Sequence, residues 1–112
     1  MTTDHLHSLH IGIDLPEGRI AAFCEKWQVV ELALFGSALR GNLDQQRDVN
    51  ILVTFEPGTT HGLFDVAQME SELKEIIGRD VMILTRRGVE LSSNPFRRKE
   101  ILDSAEVIYA RR

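Results

Sequence analysis

The chain has 112 residues, 43% hydrophobic and 27% charged, with 13 basic and 17 acidic side chains and a net charge of −4. That length predicts one domain with no room for a second, and the composition excludes disordered and fibrous classes. No apolar run approaches the ~18 residues of a membrane span, no basic stretch leads into an apolar one at the N-terminus, and the single Cys24 has no internal disulfide partner, so the expected setting is a reducing, cytoplasmic one.

Residues 1–13 read as a flexible N-terminal extension, and 14–112 as a single domain. His5, His7 and His10 have ligand-like spacing, but a terminal segment of this kind reads as unordered rather than metal-bound. A first helix is expected from about Asp14, where Asp14 and Glu17 have capping-box spacing and Pro16 lies in the first turn. Ile20, Phe23, Cys24 and Trp27 then form one apolar stripe, which makes Cys24 an inert core thiol. Val29–Phe35 carries only Glu31 as a charge and reads as a mostly buried strand.

Gly36 and Ser37 end that strand, Ser37–Arg40 reads as a short helical turn, and 42–47 as a polar loop. From Asp48 to Phe55 the pattern alternates, with Val49, Ile51, Val53 and Phe55 on one face and Asp48, Asn50, Leu52 and Thr54 on the other. After a loop marked by Pro57, Gly58 and Gly62, a helix is expected over 63–77 with Val66, Met69, Leu73, Ile76 and Ile77 inward and Gly78 as its stop. Val81–Thr85 is a third strand. Asn94 and Pro95 open a last helix whose stripe is Ile101, Leu102, Ala105 and Ile108, with Tyr109 near its end. The order predicts an α+β fold, a small mixed sheet of three or more strands with helices on one face.

Charge is uneven along the chain. Residues 1–85 hold 6 basic and 13 acidic side chains, residues 86–112 hold 7 and 4. Arg97, Arg98 and Lys99 fall on one helical turn, which reads as a solvated basic face. The overall acidity makes no strong case for nucleic-acid binding.

The chemistry concentrates in Gly36-Ser37 and Asp48-x-Asn50. A strand that ends in Gly-Ser and turns toward a helix aims unpaired backbone N–H groups at one spot, which suits a phosphate; Gly36 allows close approach and Ser37 adds a hydroxyl. Two residues apart on a strand, Asp48 and Asn50 share a face and offer two oxygen ligands toward that spot. Arg40 and Arg47 read either as solvated loop arginines or as guanidinium groups able to hold phosphate, the solvated reading being at least as good for Arg47.

Gly36-Ser37, ten residues, then Asp48-x-Asn50 resembles the Gly-Ser-x10-Asp-x-Asp signature of the minimal nucleotidyltransferases, the small MNT members of the DNA polymerase β-like superfamily, often the antitoxin half of HEPN/MNT toxin–antitoxin pairs. The helix from Leu63, the Gly78-Arg79-Asp80-Val81 run and Asn94-Pro95 extend the likeness over residues 14–110. The resemblance implies a palm-like sheet holding two Mg²⁺ on three carboxylates, a Gly-Ser turn holding the triphosphate of ATP, and transfer to a HEPN partner. Gly36, Ser37 and Asp48 match. Three positions depart: Asn50 stands for the second carboxylate, Met82 for the third, and Arg47 for the serine before Asp48. The expected site is thus Asp48 as catalytic residue, Gly36, Ser37 and Arg40 for nucleotide, and Asp48 with Asn50 for a single, weakly held Mg²⁺. Two lost carboxylates imply weak activity, or a catalytically degenerate module that neutralises a HEPN partner by complex formation. Asp80, two residues before Met82, is ~6.6 Å along a strand and a poor substitute. A small-molecule adenylyltransferase would need a further domain for its substrate. Homo-oligomerisation is left open.

Overall fold

The computed structural model describes residues 15–35 and 49–111. Within these, the apolar stripe of the first helix, α1 (Glu17–Trp27), buries Ile20, Phe23 and Cys24. Burial pushes the Cys24 thiol up to about 12, so its thiolate is scarce at neutral pH, as expected of an inert core thiol. Asp14 and the capping box expected there lie outside the described residues.

Strand β1 (Val29–Phe35) pairs antiparallel with β2 (Val49–Phe55), with Leu32 opposite Val53 and Phe35 opposite Asn50. From β2 the chain crosses over through α2 (Leu63–Ile77) and returns as β3 (Val81–Thr85), parallel to β2. Met69, Leu73 and Ile77 of α2 point inward, and Gly78 ends the helix at φ 83°, a left-handed position that glycine adopts without strain. The four-stranded sheet has the order β3-β2-β1-β4, confirming the mixed α+β architecture.

Two expectations fail. Helices cover both faces of the sheet, not one. Leu32, Leu34, Ile51 and Val53 pack under α1 and α2, while Ala33, Phe35 and Leu52 pack with Val89 and Ile101 on the other side. The reason is legible in β1 itself: four consecutive buried residues, Leu32–Phe35, need cover on both faces. The cover is α3 (Arg86–Glu90), a five-residue helix not anticipated from the sequence, and α4 (Pro95–Ser104).

The last helix also stops earlier than expected. It ends at Ser104, and residues 106–110 form β4 (Glu106–Ala110), antiparallel to β1. Ile108 fits a helical stripe after Ala105, but it fits period two equally well, and the open edge of β1 takes it: the Arg111 N–H donates to the Val30 carbonyl at 2.8 Å. Ile108 is then buried in the α1–α2 core, on the opposite face from Ile101. Tyr109, expected near a helix end, is a half-buried strand residue.

The outer edge of β3 is occupied by a side chain: the Ile83 N–H donates to the Glu70 carboxylate of α2 at 2.9 Å. A second carboxylate ties α1 to α2. Glu72 accepts from Lys26 Nζ at 2.7 Å, Trp27 Nε1 at 2.9 Å and Gln68 Nε2 at 3.0 Å. Burial pushes its carboxyl up, but these hydrogen bonds outweigh that and bring it down to about 2. A depressed value in the folded chain contributes stability above the ordinary glutamate range, and that contribution fades as pH falls through the folded value. Glu72→Gln is expected to cost about 1 kcal/mol at neutral pH. The gap to the unsubstituted chain should close between pH 4.5 and about 2 in thermal melts; a gap undiminished at pH 2 contradicts this reading.

Candidate functional site

Three neighbouring strands meet at one end of the sheet. Phe35 is the antiparallel partner of Asn50, and Asn50 is the parallel partner of Met82. Period two places all three on the face that carries Ala33, Leu52 and Leu84, the α3–α4 side. On that side α4 lies across them. Its start is set by Asn94, whose side-chain oxygen accepts from the Phe96 and Arg97 N–H groups at 3.1 Å, with Pro95 in the first position. Ile101 anchors it in the core. Arg97, Glu100, Ile101 and Ser104 then fall on one stripe, spaced three and four apart, and this stripe faces the strand ends.

Between the two walls is a cleft of about 330 Å³, lined by Phe35, Asn50 and Met82 from the sheet and by Arg97, Glu100, Ile101 and Ser104 from the helix. The structure therefore brings Asn50 and Met82 together in one cavity. Gly36, Ser37, Arg40, Arg47 and Asp48 lie outside the described residues; in the chain, Gly36 directly follows Phe35 and Asp48 directly precedes Val49. Asp80 is turned elsewhere: its carboxylate pairs with Lys74 of α2 at 2.9 Å, and its carbonyl accepts from the Val49 N–H at 2.8 Å.

Met82 is 43% exposed, unusual for a methionine within a sheet, because its side chain lies at the open cleft rather than in a core. Among the described residues no group of three acids, histidines or cysteines is placed to hold a metal. The side-chain donors in the cleft are the Asn50 amide oxygen, the Met82 thioether, the Glu100 carboxylate and the Ser104 hydroxyl, whose proton goes to the Ile101 carbonyl at 3.2 Å. Sulfur is too soft for Mg²⁺. With one carboxylate, this set does not fit a pair of Mg²⁺ ions.

The basic turn of α4 divides by direction. Lys99 pairs with Asp103 at 2.7 Å and Arg98 donates to the Ser92 carbonyl at 2.8 Å, both outside the cleft. The expected solvated face holds for Lys99 and Arg97, both exposed, with Arg97 also lining the cavity, whereas Arg98 is half-buried. Arg97, Glu100 and Ser104 were missed by sequence reasoning, which followed the apolar stripe of this helix. Their spacing with Ile101 was the available signal.

The sequence pattern of the nucleotidyltransferase domain matches residues 19–108. Two proteins of Methanocaldococcus jannaschii, provisionally named protein adenylyltransferases, are similar. One is 31% identical over 80 residues, covering 71% of this chain and 80% of its own length. The other is 29% identical over 77 residues, covering 69% and 74%. Among solved structures, a protein provisionally named a minimal nucleotidyltransferase superposes with a TM-score of 0.61 at 33% identity, over 80% of this chain and 87% of that one. A toxin–antitoxin complex crystallised with AMP-PNP gives 0.66 at 17% identity, over 86% and 74%. The complex of a tri-AMPylated Shewanella oneidensis HEPN toxin with its MNT antitoxin gives 0.57 at 15%, over 83% and 68%. The last two likenesses are of fold.

Proposed function

The chain belongs to the nucleotidyltransferase domain family, and from that premise we propose that it transfers a nucleotidyl group from ATP to a HEPN-domain protein, slowly, through a site with few acids. The observation that carries the reading is the in-register pair Asn50 and Met82 at the open end of the sheet, inside one cleft with Phe35; in sequence Phe35 directly precedes Gly36 and Asn50 lies two residues after Asp48.

In this reading the Gly36–Ser37 turn and Arg40 bind the triphosphate, the backbone N–H groups donating to its oxygens and the guanidinium neutralising part of its charge. An acceptor hydroxyl on the partner attacks the α-phosphorus. The new O–P bond forms as the bond to the β-phosphate oxygen breaks; pyrophosphate leaves and the hydroxyl proton passes to solvent. Asp48 and the Asn50 carbonyl oxygen would hold one Mg²⁺, which supplies charge neutralisation for the phosphates when bound. A cytoplasmic setting, where ATP is at hand, belongs with this reading; among the described residues no helix is long and apolar enough to cross a membrane.

A second reading, a degenerate module that neutralises a HEPN partner by binding alone, is favoured by one observation, the exposed thioether of Met82 where a third ligand would sit.

Incubation with labelled ATP, Mg²⁺ and a HEPN protein encoded beside this chain separates the two. Slow label on the partner is expected, reduced roughly hundredfold or more in Asp48→Ala, because losing the main anionic ligand costs several kcal/mol and each ~1.4 kcal/mol is tenfold. Stable co-purification without label supports the second reading. Brisk labelling that survives Asp48→Ala sinks the site assignment.

A further inference from the structure

We propose that the apolar groove adjoining the cleft along α4 is the docking site for the protein acceptor, and that the segment it takes is apolar and carries carboxylates. This rests on the protein-acceptor reading above but concerns a second surface.

The groove measures about 390 Å³ and is lined from four elements, with Leu63 and Val66 of α2, Ile83 of β3, Val89 of α3, and Arg97 and Ile101 of α4 in its walls. Topology explains its place. β3 is an edge strand, so beyond it no described strand separates the helix layer of one face from that of the other. Ile83 belongs to the core under α1 and α2, Val89 and Ile101 to the core under α3 and α4, and the groove bridges the two at the sheet edge.

Its rim is apolar as well. Leu63, Phe64, Leu91 and Phe96 are 71–93% exposed. Leu63 lines the groove, and the other three directly neighbour the lining residues Leu63, Ser92 and Arg97 in sequence. A single exposed leucine means little; four large apolar side chains beside one groove have the composition of an interface.

Charge selects the occupant. The charged side chains lining the groove are Arg97 and Arg98, with no acid among the described residues. Arg98 donates to the Ser92 carbonyl at 2.8 Å, and a guanidinium has further N–H groups to offer a carboxylate. Residues 1–85 hold 13 acidic and 6 basic side chains, so the groove is a basic spot on an acidic molecule. A second copy set groove to groove on a twofold axis would bring like guanidinium groups together with no acid between them, which favours a different protein. Position completes the case. Arg97 and Ile101 line both the groove and the cleft. A hydroxyl borne by a protein reaches the cleft with a surface around it, and the groove is the apolar surface next door. Apolar contact holds the partner there while the arginines orient it.

The test is calorimetric titration, without ATP, of the full chain with the HEPN protein encoded beside it, at low and high salt. The variants are Leu63→Ser/Phe96→Ser, Arg98→Gln and, on the exposed face of α1, Glu25→Gln as control. Binding of a fluorescent ATP analogue, circular dichroism and sedimentation are measured in parallel. The double variant should bind the HEPN protein roughly tenfold more weakly or worse. Its folding and analogue binding should be unchanged, because both side chains are exposed in the free chain and neither lines the cleft. Arg98→Gln keeps an N–H for the Ser92 carbonyl; it should weaken binding at low salt and blunt the salt dependence. Glu25→Gln should bind as the unsubstituted chain does. Equal HEPN binding by the double variant overturns the inference and leaves the acceptor reading standing. So does self-association that the double variant abolishes, which makes the groove an interface between copies. Binding indifferent to salt and to Arg98 overturns the acidic occupant. A folded chain that binds the ATP analogue but no HEPN protein overturns both the docking site and the acceptor reading.

Discussion

Asn50→Asp combined with Met82→Asp is expected to tighten Mn²⁺ binding by more than tenfold. The two residues are direct partners across the parallel β2–β3 pair and share the cleft, so both new carboxylates would face the same space. A carboxylate about 4 Å from a dication gains roughly 2 kcal/mol even at the dielectric of water, above the ~1.4 kcal/mol that makes a tenfold change. Neither residue is a core residue: Met82 is 43% exposed and Asn50 is already polar, so the fold should tolerate both charges. Without a cation the two carboxylates repel, which predicts that the variant melts lower than the unsubstituted chain in EDTA and recovers on adding Mn²⁺. Calorimetry showing no gain in affinity would remove the argument that these positions are vacated ligand seats.

The second large effect concerns stability. Ile51→Ala should destabilise the chain by about 2–5 kcal/mol, since Ile51 is fully buried in a central strand beneath α1 and α2. For a domain whose total stability is of order 10 kcal/mol, that loss lowers the melting temperature by roughly 10 °C or more. Position 51 is also next to Asn50, so the variant should weaken ligand binding through loss of folded chain rather than through altered contacts; affinity measured well below its melting point should stay near the unsubstituted value. A melting temperature within about 3 °C of the unsubstituted chain would show that the sheet core is not where this stability resides.

Much of the scaffold was legible before the structure. Strands β1, β2 and β3 and helix α2 lie where alternation, helical spacing and the Gly78 stop put them, because each such signal is local and names a single answer. Ile108 illustrates where this ends. Its spacing satisfies both periods, and the choice is made by the unfilled edge of β1, where Leu32 pairs with Tyr109 and Ala33 with Val107, far outside any local window. The two-sided cover of the sheet was encoded in Leu32–Phe35 but was read only as burial. The residues lining the cleft divide in the same way. Asn50 and Met82 were found as a pair through a family likeness that carries long-range register with it. Glu100 and Arg97 required knowing on which face of the sheet α4 packs, and helix spacing alone does not choose a face.

Mixed strand polarity also has a temporal consequence. Leu32 to Phe35 sit between β2 and β4, so the central strand gains its second neighbour only after residues 106–110 have left the ribosome. Until then one flank of β1 presents open backbone groups and apolar side chains, a template for mispairing with nascent neighbours. Such a chain stands to benefit from a chaperone, or from a partner that engages it early, during the interval before the final strand zips shut.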